Sequence, residues 1–183
     1  DMGCIFCSNG GSGEFATSCN YSITEQIEMA KERVSTKIKN GKYIAYFQSF
    51  TNTYGNVDYL EKIFTEAINH PDIVCLSIGT RPDCLPDDVI DLLNRLNKIK
   101  PVWIELGLQT IHEDTATYIN RGYTLNIFDD AVSKLNAIGV EVIVHLILGL
   151  PYETESDILE SVSYVCNKPI SGIKLQLLHI CLL

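Results

Sequence analysis

Five apolar runs punctuate the chain, and each predicts a β-strand. Residues 42–48 are aromatic and β-branched, with Tyr43, Ile44, Tyr46 and Phe47 in close succession. Residues 73–79, 102–108, 141–148 and 172–178 follow with the same character. The runs are nearly continuous in hydrophobicity rather than cleanly alternating. That suits strands covered on both faces, as in a parallel sheet.

Helical patterns fill the gaps. Ser22 and Glu25 form a capping box that opens a helix over 22–39, with Gly41 just beyond. Residues 57–69 are helical and end before Pro71. Pro86, with Asp87 and Asp88, starts another helix, its acidic residues favourable at the positive end. Residues 126–137 run helically towards Gly139, and Thr154 to Asp157 opens the last long helix. A short extra turn spans 112–119 and is closed by Gly122. Strand, helix and strand recur about every 30–40 residues, one βα unit each. The fold class is therefore α/β with a parallel sheet, either doubly wound or an incomplete barrel.

Polar residues change that balance. They gather where strands end: Gln48-Ser49, Thr80 to Asp83, Gln109-Thr110, and Pro151 to Thr154. Polar residues follow strands in many folds, but barrel enzymes place their chemistry at those ends, which favours the barrel. Three polar residues also lie inside apolar strands: Glu105, His145 and Gln176. Buried carboxylates and imidazoles need partners to offset desolvation. Three in corresponding places suggest a sheet interior that lines a polar cavity.

Composition narrows the classes. The chain has 183 residues, 46% of them hydrophobic, and a formal net charge of −9. The acidity argues against a fold-wide basic footprint for nucleic acid or anionic membrane, though not against a local groove. No run approaches the roughly 20 apolar residues of a membrane helix. The longest, 142–150, is interrupted by His145, and no signal-peptide pattern opens the chain. A cytoplasmic protein without a membrane partner is expected.

Seven cysteines are present, in no disulfide-like framework. Cys75, Cys166 and Cys181 sit in apolar or helical context and are expected to be buried thiols, while Cys84 lies in a loop. Cys4 and Cys7 form a Cys-x-x-Cys pair beside a glycine-rich loop. A thioredoxin-type pair lacks its preceding strand here, and a zinc site lacks a second close pair, since His70, His112, His145 and His179 are dispersed. Thiolates in a glycine-rich loop also suit an iron–sulfur cluster. Spacing alone leaves these readings open.

Several motifs, in order, carry a resemblance. They are Gly3-Cys4-Ile5-Phe6-Cys7-Ser8; Tyr46-Phe47-Gln48 with Asn52-Thr53-Tyr54; and Ser77-Ile78-Gly79-Thr80-Arg81-Pro82-Asp83-Cys84. Glu105-Leu106-Gly107-Leu108-Gln109-Thr110, Asn120-Arg121-Gly122, His145 to Pro151 and Lys174 to His179 follow. Together they resemble the radical S-adenosylmethionine (SAM) enzymes, and within them a YhcC-like branch related to the elongator catalytic subunit. The resemblance covers essentially the whole chain.

It implies a parallel (β/α) barrel of radical SAM type, incomplete here with five strands, and a [4Fe–4S] cluster held by three cysteines. SAM chelates the fourth iron; an electron, from a donor such as flavodoxin or ferredoxin, cleaves it to a 5′-deoxyadenosyl radical that abstracts hydrogen from an unknown substrate. RNA is a candidate substrate by analogy with the elongator subunit. Cys4 and Cys7 match the last two cluster ligands. Gln48 and Ser49 match contacts to the methionine moiety, with Ser77 on the next strand also cofactor-binding. Glu105 and Gln109 match the strand position that meets the SAM ribose or amino group. Gly149 and Leu150 match the segment packed on adenine, and His145 lines the cofactor cavity. No catalytic residue for the substrate is singled out.

The first cluster cysteine and first strand are expected ahead of Asp1. Residues 1–183 then form a core domain that is inactive alone. Rival readings are a zinc-binding or thiol-redox protein using Cys4 and Cys7, or a non-catalytic binding module. Among the remaining residues, Arg81 and Asp83 are expected to make a rigid turn with an internal ion pair. Arg121 and Gly122 are expected to cap a helix C-terminus with a cation. His179 is expected to face the barrel mouth.

Overall fold

The computed structural model describes residues 3–7, 16–38 and 41–178. His179 and Cys181 lie outside the described residues. The elements are α1 (Ile23–Val34), β1 (Tyr43–Phe47), α2 (Val57–Asn69), β2 (Ile73–Thr80), α3 (Asp87–Asn97) and β3 (Val102–Gln109). Then come α4 (Glu113–Tyr118), α5 (Leu125–Ala137), β4 (Glu141–Leu148), α6 (Glu155–Cys166) and β5 (Gly172–Leu177), with a 3₁₀ turn over Pro82–Cys84.

All five strands are parallel and their order in the sheet is their order in the chain. A doubly wound sheet reverses its strand order at a switch point. Here every crossover moves to the next neighbour in one direction, which is the winding of a barrel. The result is a half-barrel with helices on its convex side.

The helices start where the sequence predicts. Ser22 accepts from the Glu25 amide while the Glu25 carboxylate accepts from Ser22, and Thr154 with Asp157 does the same for α6. Asn56 opens α2 by accepting from the amides of Asp58 and Tyr59. One boundary is corrected: α1 ends at Val34, short of the predicted 39, with Ser35 as its cap. The stretch from Ser35 to Ile38 carries no apolar face able to hold another turn against α2.

The core lies between sheet and helices. Leu76, Ile78, Ile104, Leu106, Val142 and Val144 point into it from β2, β3 and β4. Phe64 and Ile68 of α2, Leu92 and Leu96 of α3, and Phe128 and Leu135 of α5 meet them. Each such side chain contributes about 1.5–3 kcal/mol. Phe47 meets Phe64 edge to face at 5.0 Å. By contrast α1 buries no residue completely and is fastened to α2 by polar links: Glu28 to His70 at 2.8 Å and the Thr24 amide to Glu66 at 2.8 Å.

Cys75 is buried as expected, but Cys166 is exposed. Val165 takes the inward position of the last turn of α6, which turns its neighbour Cys166 to solvent. Among the described residues, no helix is long and apolar enough to cross a membrane.

Candidate functional site

The concave face of the sheet is polar at its centre. In β3, Glu105, Gly107 and Gln109 share a face opposite to that of Ile104, Leu106 and Leu108. The register sets Tyr46 beside Ser77, Gly79 beside Glu105, and His145 between Gly107 and Lys174. These side chains converge on Glu105, which is 8% exposed. Its Oε2 accepts from Tyr46 Oη at 2.8 Å, His145 Nε2 at 2.6 Å and Lys174 Nζ at 3.1 Å. Its Oε1 accepts from Ser77 Oγ at 2.5 Å. Burial alone would raise the Glu105 pKa, but the donors from His145, Ser77, Tyr46 and Lys174 outweigh it and hold the carboxyl well below its ordinary range. The carboxylate stays ionised, with its charge spread over four donors.

Three predicted site residues, Ser77, Glu105 and His145, thus meet in direct hydrogen bonds. Sequence reasoning missed two members, Tyr46 and Lys174. Lys174 also donates to Tyr46 Oη at 2.9 Å and lies 4.9 Å from its ring centre. The signal available was period-two register: Tyr46 and Lys174 fall on the strand face shared with Ser77 and His145. Gln176, the third polar residue expected in the cavity, is only half-buried on the edge strand and stands outside this network.

One step nearer the mouth, Gln109 ends β3 at φ +70°, beside an irregularity in the ladder between Gly107 and Gln109. A left-handed backbone at a glutamine is strained and is held there by its surroundings. Its Oε1 is buried without a hydrogen-bond partner, and its Nε2 occupies the space where a side chain on Gly107 would begin, 2.8 Å from that point. A Cβ on Gly79 of the adjacent strand would lie 3.3 Å from the Phe47 carbonyl oxygen, a looser but still close approach. The Tyr123 hydroxyl donates to the Gly107 carbonyl.

After β1, Gln48 is exposed and Ser49 half-buried. Asn52 braces that end of the sheet, its Nδ2 donating to the carbonyls of Phe47 (3.0 Å) and Gly79 (2.9 Å). After β4, Gly149 is exposed at φ +85°, while Leu150 is buried with Ile119 and Ile147. Gln48, Ser49, Gly149 and Leu150 therefore ring the strand ends and do not join the Glu105 network.

The thiol loop docks on this rim. The Ile5 amide donates to the Ile119 carbonyl at 3.0 Å, Asn120 Nδ2 donates to the Gly3 carbonyl at 2.7 Å, and Phe6 packs against Ile119, Ile147 and Leu150. Cys4 and Cys7 face each other across a turn closed by the Cys7 amide on the Cys4 carbonyl at 3.0 Å. The hydrogen bond from Cys4 pulls the Cys7 thiol down to about 6. The same bond and burial push Cys4 up, against the lowering influence of Arg81 and Arg121. Cys7 is thus the thiol that ionises first, while the two guanidinium groups act on Cys4.

Those cations are structurally fixed. Arg81 pairs with Asp83 through Nε at 2.9 Å and a terminal nitrogen at 2.7 Å, the ion pair expected of the Arg-Pro-Asp turn. Arg121 departs from expectation. It is fully buried rather than a surface helix cap. Its Nε donates to the Tyr123 carbonyl, one terminal nitrogen to the carbonyls of Thr110 (2.7 Å) and Leu108, and the other to Glu113 at 3.1 Å. The end of β3 leaves carbonyls without ladder partners, and the guanidinium fork turns inward to satisfy them.

Among the described residues, two other groups place three ligand-type side chains together. In the first, Glu28, His70 and Asp72, the two carboxylates are already paired with Lys31 and Lys42. In the second, His112, Asp157 and Glu160, the first two line an open cleft of about 470 Å³. There His112 Nε2 bonds the Asp157 carbonyl, and the Asp157 carboxylate caps α6. Two facing thiols are a soft donor set of the kind that holds zinc, copper(I) or an iron–sulfur cluster. The residues present therefore fit a thiolate-held iron–sulfur group as a partial set of two ligands. The orphaned Gln109 Oε1 beside the side-chain-free Gly107 fits a polar cofactor at the strand ends.

Comparison with known proteins agrees with this architecture. A family profile described as the Radical SAM superfamily matches residues 1–165. Protein YtqA of Bacillus subtilis (strain 168) is 46% identical over 178 residues, covering 97% of this chain and 55% of that protein. Protein YhcC of Escherichia coli (strain K12) is 37% identical over 179 residues, covering 97% and 57%. Elongator complex protein 3 of Drosophila melanogaster is 30% identical over 121 residues, covering 65% and 20%. Among solved structures, the Elp3 of the archaeon Methanocaldococcus infernus with an N-terminal deletion superposes with a TM-score of 0.72 at 19% identity, over 89% of this chain and 42% of that one. Coproporphyrinogen III oxidase (HemN) of E. coli, described as a radical SAM enzyme, gives 0.69 at 15% identity, over 97% and 42%. The chain spans little more than half the length of YtqA and YhcC. By this match and these relatives, the chain belongs to the radical SAM superfamily.

Proposed function

We propose that this chain forms the cofactor-binding core of a radical SAM enzyme, with Cys4 and Cys7 as two ligands of a [4Fe–4S] cluster and SAM bound at the strand ends. A third thiolate, besides Cys4 and Cys7, completes the protein ligands of such a cluster. When bound, cluster and SAM supply one-electron cleavage of SAM and hydrogen-atom abstraction from substrate. The observation that carries this reading is the strained Gln109 at the end of β3, the strand that also carries Glu105, with its buried Oε1 without a partner.

This chain's own residues divide the work. Glu105, kept ionised by His145, Ser77, Tyr46 and Lys174, presents a fixed negative charge to an ammonium or ribose hydroxyl without becoming a proton donor. Gln109 hydrogen-bonds the cofactor, while Gln48 and Ser49 meet its methionine end. Gly149 and Leu150 form the apolar wall against adenine. Phe6 and Leu150 exclude water from the thiol side. Arg81 and Arg121 offset the negative charge of a thiolate-bound group. The electron arrives from a donor of the flavodoxin or ferredoxin class.

Anaerobic reconstitution of the full-length protein with iron and sulfide tests the reading. A brown protein that releases methionine and 5′-deoxyadenosine from SAM under dithionite is expected, and Cys4→Ala or Cys7→Ala abolishes it. Gln109→Ala should weaken SAM binding about tenfold, the loss of one hydrogen bond in a desolvated site. Stoichiometric zinc, or a stable Cys4–Cys7 disulfide with no iron uptake, overturns the assignment.

For substrate, we propose a structured RNA. Four large aromatic side chains stand exposed around the strand ends: Phe50, Tyr54, Tyr118 and Tyr152, the last 83% exposed. Such rings stack on unpaired bases at about 1–3 kcal/mol each. With a net charge of −9, recognition rests on stacking more than on phosphate contacts. A relative named for a tRNA modification, the tRNA-2-methylthio-N(6)-dimethylallyladenosine synthase of Fusobacterium nucleatum, 29% identical over 147 residues, supports it. A tRNA pool that binds the full-length protein no better than a polyanion control, or equally well after Tyr152→Ala, would remove RNA from consideration.

A further inference from the structure

We infer that Asn120 is a positioning residue, a clamp that presets the Cys4–Cys7 loop before any metal arrives. The inference rests on the proposed role of those two thiols. The loop is held by consecutive residues just beyond α4. Ile119 offers its carbonyl to the Ile5 amide (3.0 Å) and Asn120 its side-chain amide to the Gly3 carbonyl (2.7 Å), so Cys4 is gripped through both of its neighbours. Gly3 and Asn120 are 117 positions apart, so this contact is tertiary rather than local.

The grip is anchored to the sheet. Ile119 is 1% exposed, and Arg121, next after Asn120, is fully buried with its guanidinium on the carbonyls of Leu108, Thr110 and Tyr123. A rigid path therefore runs from the end of β3 through Arg121 and Asn120 to the residues flanking Cys4. Asn120 itself sits at φ +56°, a left-handed conformation that asparagine and glycine both tolerate. That conformation aims its side chain at the loop. Fixing a ligand loop in advance removes ordering entropy that metal binding would otherwise have to supply.

Asn120→Gly separates clamp from backbone role. Glycine keeps the left-handed turn and removes only the donor. Asn120→Asp keeps the shape but places a carboxylate against the Gly3 carbonyl. Both variants are made in the full-length protein. Hydrogen exchange at the Ile5 amide is read in the metal-free form; iron loss to a chelator and the electron paramagnetic resonance spectrum of the reduced cluster are read after reconstitution. Exchange and iron loss should each rise about fivefold in Asn120→Gly, the scale of one lost hydrogen bond, and further in Asn120→Asp. The resonance lines should broaden as the ligand geometry spreads, with the thermal unfolding midpoint lowered by no more than a few degrees. If Ile5 exchange stays at the wild-type rate, or rises while iron loss does not, the clamp is refuted. A wild-type protein that takes up no iron, while Asn120→Gly still accelerates Ile5 exchange, refutes the cluster reading and leaves the clamp standing.

Discussion

At the scale of single residues, Glu105 sets the character of the concave face. Replacing it by Gln leaves Lys174 and His145 without their anion, which should cost about 3 kcal/mol at neutral pH. Its folded pKa is depressed, so this contribution is complete above the unfolded carboxyl value of about 4.3 and is lost as pH falls below it. Urea unfolding of wild type and Glu105→Gln should therefore differ fully at pH 7 and by a smaller amount at pH 3, the rest being lost only as pH falls through the depressed folded value. Arg121→Met should cost about 3–5 kcal/mol, because it strands three carbonyls and Glu113; denaturant midpoints read it directly. Glu105 and His145 were legible because each interrupts an apolar strand. Tyr46 and Lys174 were not: a tyrosine in a strand and a lysine on an edge look ordinary until register places them together. Arg121 misled because arginine after a helix usually signals a solvated cap, and two of the carbonyls that draw it inward, those of Leu108 and Thr110 at the end of β3, lie 13 and 11 positions away.

At the scale of elements, the capping boxes of α1 and α6 were readable because each is a local exchange between residues three apart. Thr154→Ala should cost about 1 kcal/mol, seen as a lowered thermal midpoint. Strand order was not readable, since evenly spaced βα units serve a doubly wound sheet and a barrel equally. Consecutive order follows only once the crossovers are seen to progress one way. Gly107 links element to site. A methyl group there would meet the end of the Gln109 side chain, a flexible neighbour, so Gly107→Ala should alter stability by less than about 1 kcal/mol. It should nonetheless displace the Gln109 amide and weaken SAM binding, measurable by calorimetry on the reconstituted full-length protein.

At the scale of the whole molecule, stability and candidate chemistry lie on opposite faces of the sheet. The convex side is apolar and carries stability, while the concave side gathers Lys174, His145 and, at the rim, Arg81 and Arg121 around one carboxylate and two thiols. The contact from Lys174 to Tyr46 joins β5 to β1, the first and last strands of the sheet, which do not pair with one another. The flanks of the half-cylinder are thus joined across its hollow by side chains, Lys174 to Tyr46 and both of them to Glu105, rather than by ladder closure. Removing the lysine's links with Lys174→Met should let the two flanks spread and widen the aperture. A swollen radius of gyration in solution scattering, with unchanged helix content, would reveal a vessel whose bore is adjustable.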